Sequence, residues 1–149
     1  MTIRPATKQD LPAIMALERS IPTAPHWTEE IYLRMLRDTT CEIVVEDQNG
    51  LRGFCVASIA AGEAELDSVV VAQEARRRGV GRNLCNAVIG WARVQGARSI
   101  SLEVRTGSIA ATLLYRSLGF QIVGERKLYY ADPPDDALIM RLNFDCDGV

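Results

Sequence analysis

Residues 67–84 read DSVVVAQEARRRGVGRNL. A valine run favours a strand. Past the two glycines, Val80, Leu84, Val88, Trp91 and Ala92 recur at helical spacing, with Arg82, Asn83, Asn86 and Arg93 on the other faces. The stretch therefore predicts a strand, a glycine-containing turn and the start of an amphipathic helix. A helix N-terminus carries unpaired N–H groups and a partial positive charge. Gly79 and Gly81 let a ligand approach the backbone, and Arg76, Arg77, Arg78 and Arg82 surround them. Together these features describe an anion site. The spacing R-x-x-G-x-G lacks the G-x-x-x-x-G-K-[ST] of a Walker loop and the G-x-G-x-x-G of a dinucleotide fold. On spacing alone an exposed basic turn stays open as the alternative.

The chain has 149 residues, 48% of them apolar and 24% charged. Such a chain forms one domain, residues 1–149, with a core that needs no staples. The net charge of −2 argues against a general nucleic-acid binder and makes the local basic patch a site for a small anion. Cys41, Cys55, Cys85 and Cys146 form no C-x-x-C pair, and no histidine stands at metal-ligand spacing, so no metal is expected. The first three cysteines sit in apolar runs and read as small buried hydrophobes. The N-terminus MTIRPATKQDL has no apolar leader, and no apolar run reaches the length of a membrane span. A soluble, cytoplasmic protein is the expectation.

Outward from the opening stretch, Thr2–Arg4 reads as a first strand. Thr7 caps a helix running to about Ser20, and Thr28 caps a second that ends near Arg37. Cys41–Glu46, Leu51–Ala60 and Ala64–Ala72 are strands, the first two joined by an Asn-Gly hairpin at Asn49-Gly50. Gly96 ends the helix after the arginines. Ser99–Arg105 is a strand, and Ser108–Leu118 is a helix stopped by Gly119. Phe120–Val123, Arg126–Tyr130 and Ala137–Asn143 complete the chain as strands, with the turn DPPDD before the last. The class is α/β in layers.

The strand SISLEVR, residues 99–105, alternates Ile100, Leu102 and Val104 with Ser101, Glu103 and Arg105. A strand inside an α/β sheet is normally apolar on both faces, so the polar face meets either solvent or a functional cleft. Residues 63–67 repeat the pattern with Glu63, Glu65 and Asp67. If the two strands are neighbours, they form an acidic patch suited to an amine.

These residues resemble the GNAT superfamily of acetyl-CoA-dependent N-acetyltransferases. Its motif [QR]-x-x-G-x-[GA], after a strand and at a helix start, is matched by Arg76 through Gly81. The run LEVRTGSIAATLLYRSLGFQIVGERKLYY (102–130), then DALIMRL (136–142), is similar to the ribosomal-protein-alanine N-acetyltransferase (RimI-like) branch. So are IRPAT…DL near the start and PHWTEEIY at 25–32. The resemblance covers nearly the whole chain. It implies a GNAT fold: a mixed, mostly antiparallel sheet of about six or seven strands, splayed between strands 4 and 5 and flanked by about four helices.

The resemblance also implies roles. Acetyl-CoA is the cosubstrate. Val69, Val70 and Val71 would present backbone groups to its pantetheine arm where the strand bulges, with an N–H near Val69 facing the thioester oxygen. Arg76, Arg77, Arg78, Gly79, Val80, Gly81 and Arg82 would hold the pyrophosphate, mainly through N–H groups. Glu103 matches the general base and Tyr115 the general acid. An α-amine is largely protonated at neutral pH and must lose a proton to attack, and the departing thiolate needs one. Two departures stand out. Ser108 replaces an Asn that touches the cofactor and can still hydrogen-bond and cap its helix. Asp67-Ser68 replaces an apolar residue and Asn near the acceptor side. Trp27 either staples the second helix to the core or lines the acceptor site, His26 sits in a Pro-bounded loop, and one of Tyr129 and Tyr130 faces the acceptor groove.

The leading expectation is acetyl transfer to a protein N-terminal α-amine, the acceptor being a ribosomal protein that begins with alanine. The attack is direct, in a ternary complex, with no nucleic acid or membrane as partner. The alternatives are a small-molecule amine or Lys side chain as acceptor, or a non-catalytic acyl-CoA sensor. A groove formed by residues 22–30 and 128–136 discriminates the acceptors.

Overall fold

Asn49 and Gly50 take φ of 57° and 116°, and this turn closes the hairpin between β2 (Cys41–Asp47) and β3 (Leu51–Ala60). The structure is a computed structural model and describes residues 2–144; Cys146 lies outside the described residues. The remaining elements are β1 (Ile3–Pro5), α1 (Leu11–Arg19), α2 (Glu29–Arg37), β4 (Glu63–Val71), α3 (Val80–Val94), β5 (Ser99–Arg105), α4 (Ile109–Ser117), β6 (Gln121–Ala131) and β7 (Pro134–Asn143). They build one seven-stranded sheet in the order β1-β2-β3-β4-β5-β7-β6. β4 and β5 are parallel and every other pair is antiparallel. Among the described residues, no helix is long and apolar enough to cross a membrane.

The sheet has a core on each face because its strands alternate. Ile43, Val45, Phe54, Val56 and Val70 face one way and pack on Leu11 and Ile14 of α1 and Tyr32 of α2. Val44, Cys55, Ala57, Ala64 and Leu66 face the other way, onto Val80, Leu84, Val88 and Ala92 of α3. The helical stripe read from the sequence is that buried face. Burying each of the valines, leucines and isoleucines contributes about 1.5–3 kcal/mol.

Local chemistry sets the helix ends. Thr28 caps α2 by accepting from Ile31 N at 3.3 Å, and Glu29 and Glu30 lie in its first turn, where the dipole favours them. The first helix departs from its expected span. Lys8–Asp10 is a 3-10 turn, and the α-helix proper begins at Leu11, with Pro12 in its first turn. Asp10 accepts from Thr7 N–H at 2.8 Å and takes a two-pronged contact from Arg4 at 2.8 and 2.9 Å. Arg4 also reaches Asp47 at 2.9 Å, so one guanidinium ties β1, β2 and the turn before α1. The Arg4 contact, against the opposing effect of burial, holds the Asp10 carboxyl down at about 2.

The chain's end differs more. The two segments expected as separate strands at 120–123 and 126–130 are a single strand, β6. It carries one residue more than β7 between Ile122 and Gly124, and two more between Arg126 and Tyr130, where Leu128 takes φ 51°. β7 also starts three residues earlier than Ala137, leaving Asp132 and Pro133 as the turn.

Candidate active site

β4 and β5 pair through Glu63↔Ser99, Ala64↔Ile100 and Glu65↔Ser101. Beyond Glu65, among the described residues, β4 has no strand partner on that side. Its remaining N–H and C=O groups along this edge must find other partners. The parting opens a cleft of about 1020 Å3, lined by residues of both strands, the 22–25 loop, α4, β6 and β7.

The expected bulge is present, earlier than the valines. Leu66 pairs with Ala57 and Ser68 with Val56, so Asp67 is an extra residue on β4. It inverts the alternation. Before it, Ala64 and Leu66 face α3; after it, Val69 and Val71 do, and Val70 turns to the opposite core. Asp67 and Ser68, consecutive in sequence, therefore share one side of the sheet. Val69 and Val70 line the cleft and Val71 does not. The change of parity from Leu66 to Val69 is visible in ELDSVVV and could have located the bulge.

Two residues beyond the last β4–β5 pair on each strand stand Asp67 and Glu103, on the same face of the sheet. Glu103 Oε2 lies 3.1 Å from Arg126 Nε, and Glu103 also accepts from the Tyr129 hydroxyl, whose pKa it pushes up. Sequence reasoning did not single out Arg126 or this contact, because the strand irregularity that aims it is a tertiary effect. The same irregularity corrects the expectation for the tyrosines. Strict alternation would turn one of them away, yet both Tyr129 and Tyr130 line the cleft. Their rings meet edge to face at 5.1 Å, and Arg105 lies over Tyr130 at 4.2 Å. Arg105 also donates to Pro133 O at 2.6 Å, pinning the β6–β7 turn.

Asp67 is half-buried, and the Ser58 hydroxyl bonds to it. Burial pushes its carboxyl up to about 6, the Ser58 bond opposing and the nearby Glu65 adding to the shift. Tyr115 is 8% exposed, packs edge to face on Phe120 and lines the cleft. Burial pushes its phenol well above the ordinary range, so it stays protonated. Cys55 and Cys85 are buried, the Cys85 thiol pushed up to about 12, and Cys41 is partly buried. None of these three lines the cleft. Ser108 does, at the N-cap position of α4. It departs from the expected cap: its side chain makes no cap bond, because its φ and ψ of −85° and 72° leave the extended range in which cap side chains reach the helix N–H groups.

The arginine loop follows β4 through a short turn at Gln73–Ala75. Arg77 takes φ 66° and Gly79 φ 81°, two left-handed residues two apart, the kind of backbone that gathers N–H groups into an anion nest. Gly79 is the N-cap of α3 and supplies no side chain to the free N–H groups. A Cβ there would meet nothing within 4 Å, so the glycine serves the backbone angle and leaves the approach open. Gly81 has a second reason. A Cβ there would come to 3.3 Å from Leu114 and 3.7 Å from Val71, so it lets α3 pass close to α4. Arg82 donates to Ser117 at 2.7 Å across the same contact, and Arg76 reaches the Val71 carbonyl at 3.4 Å. An edge with free backbone groups leading to a cationic helix start fits an extended ligand ending in a diphosphate.

Of its two expected roles Trp27 takes the first, stapling the second helix, and not the lining of the acceptor site. It is outside the cleft lining and stacks edge to face on Tyr32 at 5.7 Å, because its loop is tied down from beneath. Glu18, fully buried on α1, accepts from Trp27 N–H at 3.0 Å and from the Tyr32 hydroxyl at 2.5 Å. His26, at φ 61°, donates from Nε2 to the Ile21 carbonyl at 2.9 Å. The residues so held against the cleft are Pro22 to Pro25.

Residues 10–120 match the acetyltransferase (GNAT) family. A [ribosomal protein bS18]-alanine N-acetyltransferase of Salmonella typhimurium is 31% identical over 143 residues, 95% of this chain and 96% of the relative. The crystal structure of the ribosomal-protein-S18-alanine N-acetyltransferase from Escherichia coli superposes with a TM-score of 0.85 at 30% identity, covering 99% of this chain and 97% of that one. Naa20 of Chaetomium thermophilum, solved with a bisubstrate analogue, shares the fold with a TM-score of 0.86 at 24% identity over 97% of this chain and 87% of its own.

Proposed function

Because this chain belongs to the acetyltransferase (GNAT) family and is an acetyl-CoA-dependent N-acetyltransferase, we propose that its acceptor is a protein N-terminal α-amine, that of a ribosomal protein beginning with alanine. The observation that carries this is the cleft. Its volume of about 1020 Å3 stands at the top of the range for small-molecule pockets, room for a pantetheine arm and the first residues of a chain together. Its acceptor end is walled by the 22–25 loop on one side and by Tyr129, Tyr130 and Asp132 on the other. The acceptor named for the full-length relatives supports the same reading.

In this mechanism the β4 edge from Ser68 to Val71 holds the pantetheine arm, Ser108 bonds to it, and Arg76–Arg82 hold the pyrophosphate at the start of α3. A backbone N–H near Val69 faces the thioester oxygen and stabilises its negative charge as the amine attacks. Glu103 accepts a proton from the amine. Tyr115, kept neutral by burial, gives its proton to the leaving sulfur. Attack is direct, since the cysteines nearest this region are buried thiols, not thiolates, and stand off the cleft.

The test is a mass-spectrometric assay with ribosomal-protein peptides that begin with alanine. Acetylation confined to the N-terminal amine supports the reading. Acetylation of small amines with every peptide left untouched overturns it.

A further inference from the structure

Asp67 is the bulged residue of β4, and its side chain lies in the cleft wall. The bulge places it on the face where Glu103 stands on β5. The register Glu65↔Ser101, continued two residues along each parallel strand, sets Asp67 and Glu103 level on the two sides of the parting. Glu103 is paired with Arg126. Among the described residues no cation pairs with Asp67; its one bonded neighbour is the Ser58 hydroxyl. A half-buried carboxylate without a cation, level with the base and across the gap from it, is placed to receive one.

The acceptor is such a cation. An α-amine arrives as an ammonium group below about pH 8, and two protons must leave its nitrogen before the amide is complete. We propose that Asp67 is a second proton acceptor of the acetyl transfer, taking the first proton from the acceptor's ammonium group and leaving the second to Glu103. This deepens the proposed function and rests on it. An N–H bond of the ammonium breaks, its proton goes to a carboxylate oxygen of Asp67, and the electron pair stays on nitrogen. That pair forms the N–C bond to the thioester carbon. Glu103 removes the second N–H proton, and Tyr115 protonates the sulfur as the C–S bond breaks. One of the two carboxyl protons returns to Tyr115 and the other to solvent, which balances the release of one proton per turnover.

The other groups of this wall do not duplicate the role. Glu65 on β4 raises the Asp67 carboxyl. Cys41 on β2 and Cys55 on β3 stand off the cleft, and burial pushes both thiols up, Asp67 adding to it. From β7, Arg141 is engaged with Ser101 at 3.2 Å. From β6, Arg126 and Tyr129 engage Glu103, and Tyr130 packs under Arg105. The 22–25 loop brings no titratable side chain. A carboxyl lifted to about 6 is also better matched to an amine than an ordinary one.

The test is kcat/KM for the acceptor against pH, in wild type, Asp67→Asn, Asp67→Glu and Glu103→Gln, with the KM for acetyl-CoA as control. Wild type is expected to rise to about pH 6 and then stay level, because Asp67 serves the ammonium form and the free amine needs only Glu103. Asp67→Asn keeps a partner for Ser58 and can take only the free amine. Its kcat/KM is expected to climb tenfold per pH unit up to about pH 8, with at least a tenfold loss at pH 7 and acetyl-CoA KM unchanged. Asp67→Glu restores the plateau. Glu103→Gln lowers the whole curve and keeps the acidic limb. An Asp67→Asn curve of wild-type shape, or loss of the limb in Glu103→Gln alone, overturns the proposal. If wild type ignores peptides and acetylates small amines, the N-terminal reading fails, and the same curves taken with the small amine still decide the role of Asp67.

Discussion

Glu103 Oε2 and Arg126 Nε stand 3.1 Å apart, so the carboxylate proposed to take the amine's proton is already an ion-pair member before any amine arrives. The pair is partly exposed and its net worth to stability is small. Its proposed effect is on catalysis. Glu103→Gln is expected to lower kcat by about 10²–10⁴, the usual size of a general-base contribution, with acetyl-CoA KM within about threefold. Arg126→Ala leaves the base in place and is expected to cost far less. Steady-state kinetics on both variants checks the order, and equal losses would assign Arg126 a chemical role of its own.

Tyr115→Phe removes one oxygen from a packed ring. The phenyl ring keeps its contact with Phe120, so the melting temperature should hold within a few degrees. Loss of the proposed proton donor should reduce kcat at least tenfold. A variant with wild-type kcat would move the acid elsewhere.

Gly81→Asp drives a Cβ into Leu114 and Val71 and sets a carboxylate at the start of α3. Arg77→Ala removes one exposed charge. Acetyl-CoA affinity by calorimetry should fall more for the first, by tenfold or more, and the thermal midpoint should fall with it. Similar affinities would mean that charge counts as much as backbone at this loop.

Asp67 gives a pH dependence of stability with a definite sign. Its folded-state pKa, about 6, exceeds the ordinary carboxyl value of about 3.9. The folded protein then binds the proton more readily than the unfolded chain. The advantage is full below about pH 4 and is lost as pH rises through about 6. Asp67→Asn should therefore be the more stable protein at pH 8, by about 1–2 kcal/mol after allowing for its partial exposure, and indistinguishable at pH 4. Denaturant titrations at the two pH values measure this, and a variant less stable at pH 8 contradicts it.

Glu18→Ala leaves the part-buried Trp27 N–H and the buried Tyr32 hydroxyl without their partner. Two lost partners at about 1–3 kcal/mol each predict a loss of about 2–6 kcal/mol. In the fraction that folds, the 22–25 wall loses its anchor, so acceptor KM should rise while acetyl-CoA KM holds. Glu18→Gln, which still accepts both bonds, should recover most of each. An unchanged acceptor KM in Glu18→Ala would separate the anchor from the acceptor site.

Elements with local causes were legible in the sequence. The Asn49-Gly50 turn, the stripe of α3, the spans of β3 and β5 and the cap at Thr28 all follow from residues near one another, and each stands where expected. The two polar strands, β4 and β5, are neighbours, and the acidic face they were expected to share exists over Glu63–Glu65. What the residues did not disclose are effects of pairing at a distance. The extra residues in β6 exist only against β7, and they bring Arg126 to Glu103 and both tyrosines to the cleft. Trp27 could be read either way until Glu18, nine positions earlier, was seen to hold its backbone. The bulge lay in between: its parity break is written in ELDSVVV, but only β3 reveals which residue is extra.

The open edge of β4 has a consequence for how this protein behaves in a crowd. An unpaired strand edge usually recruits other strands, and proteins spend charges, prolines or covering helices to prevent it. Here the free edge lies between β4 and β5, in the interior of the sheet, with β3 on one flank and β7 on the other. A second protein molecule would have to present a lone extended chain to reach it. A thin, flexible ligand meets that requirement and a folded neighbour does not, so an edge buried inside the sheet order is open to the one and closed to the other.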